Sequence, residues 1–170
     1  MIDLDAIADS LDSMPTVLGH LLAPIDPAAL AVRPEPGEWS VLEVIGHLVA
    51  TDTGAFRDRI SAIVEGEPEI AGFDPWAAIN ARDFNAVPLT DLLPEFTAER
   101  ARSVAFVRSL ADSDLSKTAG YGDRGVFAAG DFVYEWPFHD HEHLQQILDI
   151  LKQRYLPLMT ETMRVALVGQ

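Results

Sequence analysis

No cysteine occurs anywhere in the 170 residues, which excludes disulfides, thiolate metal ligands and a cysteine nucleophile. Any bound metal has to be held by imidazole, carboxylate, carbonyl or water. Basic residues are scarce, 12 Lys and Arg against 27 Asp and Glu, for a formal net charge of −15. The densest basic group, Arg100, Arg102 and Arg108, is diluted by Glu95 and Glu99. Nucleic acid and anionic membrane surfaces are therefore poor partners, because both are bound by neutralising phosphates with Lys and Arg; the charge reads as solubility. No run approaches the ~20 apolar residues of a membrane span. The opening MIDLDAIADSLDS has neither a basic start nor a cleavage-like site and reads as the first turns of an amphipathic helix, so a cytoplasmic protein is expected. Alternation of period two is nearly missing, which leaves little material for a sheet.

What is present is helical periodicity punctuated by proline and glycine. Apolar spacing predicts a first helix over about Leu4 to Leu22, kinked or split at Pro15, then a loop with four prolines from Pro24 to Gly37. Ser40 with Glu43 forms a capping box, and Trp39 can staple to Val44, opening a second helix that runs to about Glu65 before Gly66 and Pro68. Asp74-Pro75 caps a shorter helix ending near Asn85. A further helix is expected over Asp91 to Leu110, a loop or short hairpin over 112–125, and a last long helix over Ala128 to Tyr155, kinked or restarted at Pro137. Pro157 separates a terminal segment that can also be helical. Apolar content of 48% is enough for a substantial core. Together these elements predict an all-α domain over residues 1–170, a four-helix bundle with a short inserted helix.

The five histidines are not equivalent. His139 and His143, four residues apart, project from one helix face and can converge on one ion. Phe132, Trp136, Ile147 and Ile150 fall on the same side, so the pair sits in the apolar stripe, and His141 points the opposite way. The plainer alternative is a pair of core histidines satisfied by hydrogen bonds. A third imidazole on a facing helix turns the balance toward metal: His47, beside Thr51 and Gly54 on a small, partly polar face, or His20 on the first helix. Three protein ligands leave coordination positions open, as catalytic sites require.

The segment PGEWSVLEVIGHLVATD, followed by HDHEHLQQI, resembles the two signature regions of the DinB-like superfamily. The resemblance implies a four-helix bundle with long crossovers and a divalent metal bound by three histidines, which match His47, His139 and His143. One departure is Glu142, where many members carry a further histidine. The resemblance further implies a thiol S-transferase using a low-molecular-weight thiol such as bacillithiol or mycothiol as cosubstrate. A metal-dependent hydrolase of a small molecule and a non-catalytic metal-containing stress or binding protein are the alternatives.

Imidazole ligands suit zinc or nickel first, with iron, copper or manganese also admissible. Asp140 and Glu142 flank the ligands, and ordinary burial makes both solvated surface carboxylates; Glu142 is also placed to orient an imidazole. Gln146 is expected to line the pocket, and Trp136 to wall it or to pack in the core. Tyr121 and Arg124 lie in a loop that can border the bundle mouth. The apolar run Ala166-Leu167-Val168 suits a homodimer contact.

Overall fold

The computed structural model describes residues 3–168, so Met1, Ile2 and residues 169–170 of the expected terminal segments lie outside the described residues. The bundle is formed by α1 (Leu4–Leu22), by α3 (Val41–Thr51) continued through a π-helical turn (Asp52–Arg57) into α4 (Asp58–Glu65), by α6 (Leu89–Ser109) and by α7 (Ala129–Gln153). Shorter elements fill the connections: α2 (Pro27–Leu30), α5 (Pro75–Asn80), a hairpin of β1 (Thr118–Gly120) and β2 (Val126–Ala128), and α8 (Glu161–Val168). The all-α four-helix bundle expected from the periodicity is the fold observed.

Two apolar clusters make the core. One gathers Met14, Leu18, Leu22, Val44, Ile45, Leu48, Leu92, Phe96, Ile147 and Leu151. The other gathers Ile7, Leu11, Phe56, Ile60, Ile63, Val104, Val107, Phe132 and Trp136. Their membership sets the chain directions. α1 and α7 run from the second cluster to the first, whereas α3–α4 and α6 run from the first to the second. Segment 66–88, which joins α4 to α6, therefore has to return the full length of the bundle. On its way it pairs with β1 through Ile70 N–H to Gly120 O (2.9 Å) and Gly120 N–H to Pro68 O (2.8 Å).

The differences from the sequence reading have local causes. Pro15 and Pro137 interrupt neither helix, and α1 and α7 pass through them. The loop after Pro24 contains a one-turn helix, α2, built on Asp26-Pro27, where the Asp26 carboxylate accepts from Ala28 N–H at 3.0 Å. It is the same cap-plus-proline signal that opens α5. That helix stops at Asn80 rather than Asn85, and the following Phe84 turn inserts its ring against Gly46. The second long helix reaches Glu65 as expected, but through a π turn that periodicity did not reveal. Its buried residues Leu48, Asp52, Phe56 and Ile60 are spaced by fours, which drifts about 40° per step around an α-helix. The wider π winding absorbs the drift and keeps all four facing inward.

Gly46 is required by close approach: a Cβ there would lie 2.4 Å from the Phe84 ring. Gly46→Ala is expected to lower stability by about 1–3 kcal/mol through overpacking. Thermal unfolding followed by circular dichroism checks it, and adding Phe84→Leu should restore part of the loss.

Candidate metal centre

His47 is placed by the start of α3. Ser40 Oγ accepts from Glu43 N–H (3.1 Å) and Glu43 Oε2 accepts from Ser40 N–H (2.9 Å), the capping box read from the sequence. Arg33 clamps the same Glu43 carboxylate through its Nε (2.9 Å to Oε2), and Ser40 Oγ donates to Asn85 Oδ1 at 2.6 Å. The helix start is thus tied to two distant segments, and His47 follows two turns later on the buried face.

Across the bundle α7 presents His139 and His143. The His139 Nε2 lies 3.1 Å from His47 Nε2 and 3.2 Å from His143 Nε2. One ligand atom from each of the three rings falls within 4.8 Å of the others. Gln146 Oε1 lies 2.8 Å from His143 Nδ1 and accepts its proton, which leaves the His143 Nε2 lone pair facing the other two rings. Packing orients the remaining rings: the Trp39 indole sits 4.8 Å from His47 and 6.3 Å from His143, and Phe56 stands edge-on to His139 at 5.2 Å. The buried Nδ1 atoms of His47 and His139 have no hydrogen-bond partner among the described residues.

Burial, reinforced by the neighbouring rings His143 and His139, pushes the His47 imidazole down to about 2. Burial also takes His139 to about 3, with His143 and the Arg100 guanidinium adding to the effect. His143 is lowered by burial against the opposing hydrogen bond to Gln146. All three rings are therefore neutral near pH 7, the state in which imidazole donates to a metal. Nitrogen donors about 2.0–2.1 Å from a common ion lie roughly 3–3.4 Å apart for octahedral to tetrahedral angles. The two Nε2 separations fall in that range, so the donor set fits a divalent cation.

Beside the histidines lies a buried ion-pair network. Arg100 on α6 donates to both Asp140 oxygens (2.5 and 2.9 Å) and lies 3.0 Å from Asp52 Oδ1. Asp52 accepts further bonds from Ser103 Oγ (2.9 Å) and Trp136 Nε1 (3.2 Å). All three charged side chains are at most 2% exposed. Burial raises Asp52 to about 6 against the pull of Arg100, and raises Asp140 in the same way.

Several sequence expectations change here. Asp140 is not a surface carboxylate but the partner of Arg100, and Arg100 is not part of an exposed basic group. Trp136 does not wall a pocket; its ring stacks on Phe56 at 4.7 Å inside the core and its N–H serves Asp52. Thr51 bonds back to the His47 carbonyl (2.9 Å) rather than to an imidazole. Glu142 is exposed and makes no hydrogen bond to a histidine among the described residues, so Gln146 takes the orienting position considered for it. His141 is exposed, and His20 lies at a different cleft, between α1 and α6. Tyr121 and Arg124 pack with Arg59 around the Phe127 and Phe132 end of the second cluster. Spacing could have found Arg100, which continues the buried series Leu92, Phe96, Val104 and Val107 on α6. Nothing in the sequence marks Asp52 as its partner.

A family model described as the DinB superfamily matches residues 10–147. The chain belongs to the DinB superfamily. Among related proteins, one of Oceanobacillus iheyensis bears the provisional name of a metal-dependent hydrolase and is 23% identical over 146 residues, covering 86% of this chain and 84% of its own. One of Bacillus pumilus, provisionally named in the same way, is 24% identical over 153 residues, covering 88% of this chain and 86% of its own. Among solved structures, YfiT from Bacillus subtilis superposes with a TM-score of 0.77 at 18% identity, covering 89% of this chain and 87% of its own. YfiT is described as a probable metal-dependent hydrolase with an unusual four-helix bundle topology, and the likeness establishes that this DinB-superfamily chain shares its fold.

Removing Arg100 would leave Asp52 and Asp140 buried side by side, so Arg100→Met is expected to destabilise by about 3–5 kcal/mol; urea unfolding measures it. The imidazoles predict the acid response of chelator-treated protein. Below the ordinary histidine pKa of about 6.5 the unfolded chain binds protons that the folded one refuses. Stability is then lost as pH falls from there toward the folded values of about 3 for His139 and about 2 for His47. Asp52, raised to about 6, takes up a proton in the folded state over the same range and opposes that loss, so the imidazole contribution is read as a difference: between about pH 7.5 and about pH 5 the urea midpoint should fall more in the wild type than in His47→Phe.

Proposed function

We propose that this chain is a divalent-metal-dependent hydrolase of a small molecule, with His47, His139 and His143 as the metal ligands. One observation carries the reading: three neutral, largely buried imidazoles direct nitrogen atoms at a common point with Nε2 separations of 3.1 and 3.2 Å. A proton can bridge only one such pair at a time, whereas a single cation accepts the lone pairs of all three rings. Zinc or nickel suits the donors best, with iron, copper or manganese also compatible. Three protein ligands leave positions for substrate or water, unlike the four of a closed structural site. A cation held there supplies Lewis acidity and lowers the pKa of water, the chemistry of metal-assisted hydrolysis.

The chain's own residues divide the remaining work. Gln146 fixes the His143 tautomer, while Trp39 and Phe56 hold the planes of His47 and His139 and keep water from their faces. Asp52 and Asp140 are committed to Arg100 and cannot serve as bases without breaking that pair. Glu142, adjacent to His143 in sequence and exposed on the wall of a groove that Trp39, Gln146 and Glu38 also line, is the carboxylate assigned to take or give a proton. The relatives named as metal-dependent hydrolases support the same reaction class.

Transfer from a low-molecular-weight thiol is the second reading. Two observations favour it: no carboxylate among the described residues is bonded to the imidazoles, and the cysteine-free chain needs its sulfur from outside. A thiol that ionises on binding requires no base held at the centre.

Elemental analysis of protein purified without a nickel column is expected to find a divalent metal in the wild type and little in His143→Ala. Turnover of a panel of activated esters and amides should proceed without added thiol. Strict dependence on thiol would move the assignment to transfer, and wild-type protein free of metal would overturn both readings.

A further inference from the structure

Beside the histidines a groove of about 630 Å³ runs between the segment before α3, the start of α5 and the outer face of α7. Trp39 and Gln146 belong both to its wall and to the imidazole cluster, the first against His47 and the second bonded to His143. Trp76 meets Trp39 edge-to-face at 5.1 Å and stays 47% exposed, so one indole face is available to whatever enters. Trp39 is only 9% exposed, and its Nε1–H has no acceptor among the described residues. The charged lining is of one sign: Glu38, Glu142 and Asp149, with no Lys or Arg. Asp149 is paired to Lys152, whereas Glu38 and Glu142 have no ion-pair partner among the described residues.

We propose that this groove selects cationic substrates, small amines or quaternary ammonium compounds with a flat apolar portion, and rejects anionic ones. The inference rests on the groove being the substrate entrance of the metal centre proposed above. Indole faces attract an organic cation through the ring quadrupole, most strongly where water is partly excluded. Two unpaired carboxylates on the same walls add Coulomb attraction that no neighbouring base offsets, and they repel a carboxylate or phosphate by the same amount. A thiol cosubstrate bearing carboxylates fits these walls poorly, which bears directly on the second reading of the reaction.

The test uses three ligands of matched shape: phenethyltrimethylammonium, 2-phenylethanol and 2-phenylethanesulfonate. Neither charged group is a good metal ligand, so the metal centre does not bias the comparison. Binding to the protein as purified is followed by tryptophan fluorescence and calorimetry. The cation is expected to bind about tenfold more tightly than the alcohol, the sulfonate more weakly still, and the cation's advantage should shrink with added salt. Glu142→Gln should remove several-fold of the cation's affinity and leave the alcohol's unchanged, whereas Trp76→Ala should weaken both. Equal or tighter binding of the sulfonate, no effect of Glu142→Gln, or no saturable binding of any of the three would overturn the proposal. Metal content measured on the same preparations keeps failure of the metal reading separate, since charge selection is read from the ligand series alone.

Discussion

Arg100 is the residue on which the arrangement of the bundle turns. Its guanidinium, 1% exposed, joins α6 to the π turn after α3 through Asp52 and to α7 through Asp140. An arginine so placed costs several kcal/mol of lost hydration, recovered only if both carboxylates arrive in the correct geometry. The requirement is strict. A slip of α7 by one residue would leave Asp140 turned away and the charge uncompensated. Burial already raises the proton affinities of Asp52 and Asp140 against the pull of Arg100, with Asp140 adding to the effect on Asp52, so without the arginine neither carboxylate would be held as an anion. The network therefore sets the mutual register of the helices that carry the three histidines.

The same layer explains why a polar site exists inside the bundle. On each of the three helices the polar residues lie at or next to the junction of the portions assigned to the two apolar clusters: His47 beside Leu48, the last α3 residue of the first cluster, with Asp52 beyond it, Arg100 and Ser103 between Phe96 and Val104, and His139 to His143 between Trp136 and Ile147. The imidazoles are held mainly by aromatic packing and by one glutamine instead of by carboxylates. The nearest buried acids are occupied by Arg100, so they set helix position without charging the rings. Burial then keeps the rings neutral and ready to donate. On the outer side, the indoles and acidic walls of the groove meet this centre.

Much of the bundle was legible because its signals are local. The Ser40–Glu43 capping box, the Asp74-Pro75 start and the apolar stripes of α1, α6 and α7 each depend on residues within a few positions of one another. Where reading failed, the deciding partner was far away in sequence. α5 ends at Asn80, and the turn beyond it inserts Phe84 against Gly46. Asp140 is buried because Arg100 faces it, and of the two places open to Trp136 the core was selected because Phe56 and Asp52 receive it. The π turn is a hybrid case: the four-residue steps from Leu48 to Ile60 are visible in the sequence, but their meaning requires knowing that all four face inward.

The sequence by itself determined the helices, the placement of His139 and His143 on one face, and the acidic, cysteine-free composition that excludes thiolate ligation and disfavours anionic partners. The signature segments added His47 as their matched companion. Convergence of the three rings was decided only by the tertiary structure, because His47 and His139 are 92 positions apart and their meeting depends on helix register. That register is fixed by ion pairs and aromatic contacts between segments, and a periodicity of 3.6 residues carries no record of which segment lies opposite.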